Sequence, residues 1–140
     1  MSKKVFLDTN ILIDFFDSKR EQHENAKHLI YFLLRNQIKI LFSEDMISTI
    51  VYIARKDKEA QSILVSNIEK ITYDPNIEIC HFGEMVIRNA CSYFMQNGGD
   101  YEDILQYFCA EKEGCSAIYS NDLGFPKLKI PIKTYGDFDI

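Results

Sequence analysis

The segment that decides the fold lies at residues 4–16 and reads KVFLDTNILIDFF. Lys4 to Leu7 has the apolar character of a short buried strand, and this strand ends at Asp8. After Thr9 and Asn10 the apolar pattern continues as a helix from Ile11 to Phe16. A strand that passes directly into a helix is typical of α/β proteins, so the rest of the chain is expected to repeat this alternation.

Strands and helices do alternate along the whole sequence. Apolar runs predict further strands at residues 38–42, 77–80, 117–119 and 130–133, and Pro131 indicates that the last one lies at a sheet edge. Periodic apolar positions predict helices at about residues 19–35, 44–55, 58–70, 83–96 and 100–111, with Ser43 as the cap of the second of these. The elements predict an α/β fold: a three-layer α/β/α sandwich with a five-stranded, mostly parallel sheet, in one domain over residues 1–140.

Composition narrows the functional classes. No run of about 18 apolar residues is present, so no membrane-spanning helix is expected. The four cysteines form no Cys-x-x-Cys pair and the three histidines form no His-x-x-x-His pair, which argues against a zinc site and favours reduced thiols in the cytoplasm. The 21 acidic and 16 basic residues give a net charge of −5, and this excess of acid argues against a nucleic-acid partner.

Three acids stand where a parallel sheet binds its ligands, beyond the carboxyl ends of the strands. Asp8 ends the first strand, Asp122 follows the fourth, and Asp103 lies in the first turn of the preceding helix. Asp100 shares a helix face with Asp103, whereas Glu102 is expected to point elsewhere. Each acid alone has a structural explanation as a cap or turn residue. If they converge, their mutual repulsion calls for a cation, and oxygen ligands without His or Cys select Mg²⁺ or Mn²⁺.

The motifs around these acids resemble those of PIN domains, the nuclease fold of VapC-type toxins. Val5 to Asp14 is similar to the family's opening motif, and Asp100 to Ala110 to its third-acid helix, with Asp103 at the acid position. Ser120 to Phe125 resembles the loop of the fourth acid, with Asp122 at that position, and Ile130 to Phe138 resembles the last strand and closing turn. The resemblance extends over essentially the whole chain.

Two positions depart from the family pattern. Thr49 stands where the family usually carries a second acid, and Glu44 and Asp45 lie at least a turn earlier, where they are expected to cap the helix. A branch of PIN proteins with Ser-Thr at this place resembles the present chain. Gly124 replaces a common second Asp of the fourth motif. Fewer carboxylates favour one-metal catalysis or a weakened enzyme.

The resemblance implies a Mg²⁺- or Mn²⁺-dependent endoribonuclease, the toxin of a toxin–antitoxin pair, with RNA as substrate, an antitoxin protein as partner and a homodimer as its assembly. It assigns catalysis and the metal to Asp8, Asp103 and Asp122. Accessory roles fall to residues that orient ligands, substrate or water: Asn10, Thr49, Asp100 and Ser120. Asp14 is either a solvated surface acid or a contributor to the site. Lys127 and Lys129 are the best candidates for phosphate contacts, since they follow the fourth acid motif.

Other functions remain open at this point. A haloacid-dehalogenase-type phosphatase also begins with an apolar strand and Asp, but it needs a second acid where Asn10 stands. A receiver-type phosphorylation module would need an acid at the end of the third strand, where the chain has Cys80 and His81. The main non-enzymatic alternative is a degenerate PIN domain that binds RNA or protein without cutting, and Thr49 and Gly124 motivate it.

Overall fold

Five parallel strands form the centre of the molecule. A computed structural model describes residues 3–122 and 124–139; Leu123 of the fourth acid motif lies outside the described residues, as do Met1, Ser2 and Ile140. The strands are β1 (Lys4–Leu7), β2 (Lys39–Ser43), β3 (Ile77–Cys80), β4 (Ala117–Tyr119) and β5 (Ile132–Lys133). They are arranged in the order β3-β2-β1-β4-β5, and every neighbouring pair is parallel. The predicted mostly parallel sheet is thus parallel throughout.

Six helices cover the sheet. They are α1 (Thr9–Phe16), α2 (His23–Arg35), α3 (Glu44–Ile53), α4 (Lys58–Ile71), α5 (Gly83–Asn97) and α6 (Tyr101–Lys112). Helix α1 contacts α2 and α3, α3 contacts α4, and α5 packs on α6. Because crossovers between parallel strands are right-handed, the connections before and after β3 place these two groups on opposite faces. This is the predicted three-layer α/β/α sandwich.

Burial on both faces explains the composition of the central strands. Val5, Phe6 and Leu7 of β1 are fully buried, as is Leu41 of β2. Strands that are covered on both faces have continuous apolar sequences and not alternating ones. These segments could therefore be recognised from the sequence. Among the described residues no helix is both long and apolar enough to cross a membrane.

The elements differ from the sequence predictions mainly at the start of α2, the start of β5 and the end of α3. Helix α2 begins at His23 and not near Lys19, because Asp17 accepts hydrogen bonds from the backbone of Lys19 and Arg20 and forms a turn there. Strand β5 begins at Ile132, since the preceding Ile130 donates its N–H to the Tyr107 hydroxyl. Helix α3 ends at Ile53 and continues as a 3-10 turn over Ala54–Lys56.

The sheet order confirms the prediction on which the candidate site depends. Strands β2 and β3 lie on one side of β1, whereas β4 and β5 lie on the other, so the strand order reverses between β1 and β4. Leu7 pairs with Tyr119 across this boundary. The residues that follow these two, Asp8 and Ser120, therefore emerge side by side at the carboxyl edge, where open α/β sheets bind their ligands.

Candidate active site

Asp8 occupies the junction between β1 and α1. It is 4% exposed, and its Oδ1 accepts a hydrogen bond of 2.7 Å from the backbone N–H of Thr9, at the start of α1. Its Oδ2 accepts a hydrogen bond of 2.8 Å from the Ser120 hydroxyl. Both oxygens are thus held by donors, which fixes the orientation of a nearly buried carboxylate.

Ser120 links Asp8 to the loop that carries the fourth acid. The side chain is 1% exposed, and its Oγ accepts a hydrogen bond of 2.9 Å from the backbone N–H of Asp122 while it donates to Asp8. The parallel pairing of β1 with β4 is what brings these residues together. The accessory residue expected from the motif therefore lies between two of the three predicted acids.

Asp103 and Asp122 face each other beside Gly124. A Cβ atom placed on Gly124 would lie 2.8 Å from Oδ2 of Asp103 and 3.1 Å from Oδ1 of Asp122. Asp103 is 5% exposed, whereas Asp122 is exposed, so the pair extends from the interior to the surface. Asp100 caps α6 by accepting a hydrogen bond of 3.1 Å from the backbone N–H of Asp103. The absence of a side chain at position 124 is what leaves room for both carboxylates.

The three acids interact electrostatically. Burial raises the pKa of the Asp103 carboxyl to about 8, and the hydrogen bond and charge of Asp122 and the charges of Asp100 and Asp8 add to this effect. Burial also raises the pKa of Asp8; the hydrogen bonds from Ser120 and Thr9 oppose this rise, and the charges of Asp122 and Asp100 add to it. Carboxylates with raised pKa values that gather in a crevice are typical of functional sites.

The unsatisfied oxygen of Asp103 indicates what this cluster fits. With both acids ionised, Oδ2 of Asp103 is buried without a hydrogen-bond partner, and only a proton or a cation shared with Asp122 would satisfy it. Hard oxygen donors without nitrogen or sulfur suit Mg²⁺ or Mn²⁺. Across residues 3–122 and 124–139, no group of three or more His, Cys, Asp and Glu side chains already has the arrangement of a metal site. The acids fit a cation, but they must shift to bind one together.

The remaining predicted site residues are less closely connected to the acids. Asn10 is exposed in the first turn of α1. Thr49 is exposed on α3, and its hydroxyl donates a hydrogen bond of 3.2 Å to the carbonyl of Asp45 in the same helix. Lys127 and Lys129 are exposed on the connection that runs from the carboxyl end of β4 back to the start of β5. The proposed roles of all four residues stay predictions.

Asp14 is not a solvated surface acid, which was one of the two interpretations that the sequence left open. It is 3% exposed, not solvated, and Oδ1 accepts a hydrogen bond of 2.9 Å from Nε of Arg20. Its Oδ2 accepts hydrogen bonds from the Tyr135 hydroxyl at 2.8 Å and from Nδ2 of Asn121 at 3.4 Å. Asp14 therefore joins α1 to the loop next to Asp122 and to the C-terminal segment, and it acts as a structural ion pair.

The expected caps of α3 also differ from the structure. Ser43 precedes the helix, but its side chain makes no capping hydrogen bond and instead donates to Oδ1 of Asp45. Glu44 pairs with Nδ1 of His81 at 2.7 Å. The side chain of Asp45 is thus directed back toward the end of β2, at the same edge of the sheet as Asp8.

Glu102 and Gln106 were not predicted to belong to this region. Gln106 is fully buried, and its Nε2 donates to Oε1 of Glu102 at 3.2 Å and to Oγ1 of Thr9 at 3.4 Å. Burial and the charges of Asp45, Asp100 and Asp8 raise the pKa of Glu102. Glu102 itself is exposed, and the prediction that it points away from Asp103 stays a prediction. A buried glutamine one turn beyond an acid was the available signal, but its partner on α1 could not be known without the fold.

The sequence is similar to a known ribonuclease and to a known domain family. Residues 5–131 match the PIN domain. The chain is 36% identical to Ribonuclease VapC1 of Aquifex aeolicus (strain VF5), over 98% of this chain and 94% of that protein.

Solved structures of toxins share the fold. VapC20 of Mycobacterium tuberculosis, described as a sarcin–ricin loop cleaving toxin, superposes with a TM-score of 0.67 at 15% identity, covering 89% of this chain and 98% of that one. A toxin–antitoxin complex from Klebsiella pneumoniae gives a TM-score of 0.67 at 16% identity, covering 92% of this chain and 96% of that one. At these identities the likeness concerns the fold.

Proposed function

The chain belongs to the PIN-domain family, as a VapC-like member, and on this premise we propose that it is a divalent-metal-dependent endoribonuclease, the toxin of a toxin–antitoxin pair. The observation that carries the proposal is the crevice between β1 and β4, where Asp8, Asp103 and Asp122 converge. The similarity to a ribonuclease over nearly the full chain supports the activity.

The three carboxylates would hold the cation. Asp8 is oriented by Ser120 and Thr9, Asp103 offers the unsatisfied Oδ2, and Asp122 lies at the exposed end where substrate arrives. When bound, Mg²⁺ or Mn²⁺ supplies a Lewis acid that activates water and offsets the charge of the scissile phosphate. The carboxylates keep the site closed to a phosphate until a cation neutralises them, because like charges repel in a buried crevice.

Ser120 fixes the spacing between Asp8 and Asp122. Its hydroxyl bonds Asp8 and the backbone of Asp122 together, so the spacing of these acids depends on the pairing of β1 with β4 and not on loop motion. Asp100 fixes the first turn of α6 and hence the position of Asp103. Asn10 and Thr49 are proposed to contact substrate or water from the exposed rim.

RNA, an antitoxin and a second copy of the chain are the proposed partners. The name of VapC20 describes cleavage of an RNA loop, which makes a structured RNA loop the first substrate to test. The complex from Klebsiella pneumoniae supports neutralisation by an antitoxin. If the chain is a toxin, its expression in bacteria arrests growth and Asp8→Asn relieves the arrest. Light scattering of the purified protein tests the proposed homodimer.

The proposal is tested by cleavage of a structured RNA with Mg²⁺, with Mn²⁺ and with chelator. We expect cleavage with either ion and none with chelator. Asp8→Asn and Asp122→Asn should abolish it, while Asp17→Asn, which removes an exposed acid from the same end of the chain, should leave it intact. Cleavage that survives the chelator or Asp8→Asn would contradict the proposal.

A non-catalytic PIN domain is the second candidate. It is favoured by Thr49, whose hydroxyl bonds within its own helix, and by the described side chains, which do not yet form a metal site. RNA binding without cleavage under every metal condition would establish this alternative.

A further inference from the structure

The α3 side of the site lacks the carboxylate that the PIN pattern usually places there. Thr49 holds that position, and its hydroxyl donates to the carbonyl of Asp45 instead of facing the other acids. A site built only from Asp8, Asp103 and Asp122 has one carboxylate fewer than the family pattern. Another element would have to supply the missing carboxylate.

Glu102 is exposed on α6 and is linked to α1 through the side chain of Gln106. Oε1 of Glu102 accepts a hydrogen bond of 3.2 Å from Nε2 of Gln106, and the same nitrogen lies 3.4 Å from Oγ1 of Thr9. The backbone N–H of Thr9 in turn donates to Asp8. A continuous series of hydrogen bonds thus ties the Glu102 carboxylate to the residue that orients Asp8, across the crevice between α6 and α1.

When Asp103 and Asp122 are both ionised, two buried oxygens next to Glu102 have no hydrogen-bond partner among the described residues. They are Oδ2 of Asp103, which follows Glu102 in the chain, and Oε1 of Gln106, one turn further along α6. Asp103 is 5% exposed and Gln106 is fully buried, so solvent does not satisfy them. Buried acceptors without donors are rare in folded proteins, and their presence on one turn of α6 indicates a missing ligand that is positively charged or donates hydrogen bonds.

We propose that Glu102 supplies the carboxylate that α3 lacks and contributes a ligand to the same divalent cation as Asp8, while Gln106 holds it in position. The inference rests on the proposed function, since it extends the metal site of that function to a fourth acid. The charges of Asp45, Asp100 and Asp8 already act on Glu102, so a cation bound there would also relieve their repulsion.

Calorimetric titration of the full chain with Mn²⁺ tests this role apart from activity. Glu102→Gln keeps the oxygen that accepts from Gln106, so we expect the fold to persist while the Kd for Mn²⁺ rises at least about tenfold, as for other residues that support a metal. Glu111→Gln is the matched control, because it removes the same charge from an exposed position on the same helix. Its Kd should stay within about twofold of the wild type.

Glu102→Asp separates ligation from charge. It keeps the charge but shortens the side chain, and we expect it to weaken Mn²⁺ binding as well. Wild-type affinity in Glu102→Asp or in Glu102→Gln would overturn the inference. Asp8→Asn is titrated in parallel: if it abolishes binding while Glu102→Gln does not, only the role of Glu102 fails, and if neither changes binding, the metal site of the proposed function fails too.

Discussion

At the scale of single residues, Ser120 has the most specific role. It is one of the few buried polar side chains, and it satisfies Asp8 and Asp122 at once. The resemblance to the family implied that it is an accessory residue that orients ligands or substrate. Its position between two acids follows from strand pairing, which a linear motif does not contain.

Ser120→Ala is expected to lower the free energy of unfolding by about 1–2 kcal/mol, because it leaves Asp8 with one donor fewer in a buried place. It should also weaken Mn²⁺ binding, since Asp8 and Asp122 lose their common support. Ser116→Ala removes an exposed hydroxyl that donates to the Lys4 carbonyl, and it should change stability less. Urea denaturation and calorimetry measure both effects. Equal effects of the two variants would contradict the role of Ser120.

The raised pKa of Asp103 predicts how the metal-free protein responds to pH. The folded-state pKa of about 8 lies above the ordinary value of 3.8, so the folded state binds the extra proton. The contribution of this bound proton to the free energy of unfolding is complete below about pH 4 and is lost as pH rises toward 8. In chelator, Asp103→Asn should therefore be more stable than the wild type at pH 8 and no more stable than the wild type at pH 4.

Thermal unfolding in chelator across this pH range measures the difference. Saturating Mg²⁺ at pH 8 should stabilise the wild type and not Asp103→Asn, because a ligand stabilises only the form that binds it. If the wild type is as stable as Asp103→Asn at pH 8 in chelator, then burial and the neighbouring charges do not destabilise ionised Asp103.

At the scale of elements, the sequence predicted what depends on local pattern. Strands β1, β3 and β4 have the predicted bounds, since they are short apolar runs with clear ends. The starts of α2 and of β5 were missed. Each depends on a contact or a packing partner from elsewhere in the chain. The contacts of Gln106 with Glu102 and Thr9 were missed for the same reason.

Asp14 connects three elements, so Asp14→Asn is expected to destabilise the fold by about 1–3 kcal/mol through its charged hydrogen bonds with Arg20 and Tyr135. The Kd for Mn²⁺ should change little, because both oxygens of Asp14 already accept hydrogen bonds from other side chains. Asp17→Asn is the control for the charge, since Asp17 is exposed at the end of the same helix. Loss of Mn²⁺ binding in a folded Asp14→Asn would contradict this purely structural role.

At the scale of the whole molecule, the net charge of −5 has a different meaning from the one composition suggested. Part of the acidic excess is concentrated at the crevice between β1 and β4, where a divalent ion bound as proposed would cancel two charges. An acidic protein can then accept RNA at this place, provided that the cation and local basic residues offset the repulsion.

Lys127 and Lys129 are the predicted source of that local charge. Reversing both to Glu in the Asp8→Asn background should weaken RNA binding and flatten its salt dependence, because fewer counterions are released. Lys70→Glu, at the end of α4, is the control, since β3 begins beyond it at the opposite edge of the sheet. Fluorescence anisotropy at low and high salt measures the change. Unchanged RNA binding at both salt concentrations would show that these lysines do not contact the phosphates.

The central claim is that carboxylates from β1, α6 and the loop after β4 bind one divalent cation. The most direct measurement is an anomalous difference map from crystals of the wild-type protein soaked in Mn²⁺. We expect a peak bordered by Asp8, Asp103 and Asp122, and no such peak in Asp8→Asn. A map without density at that place, or with Mn²⁺ bound only elsewhere, would contradict it.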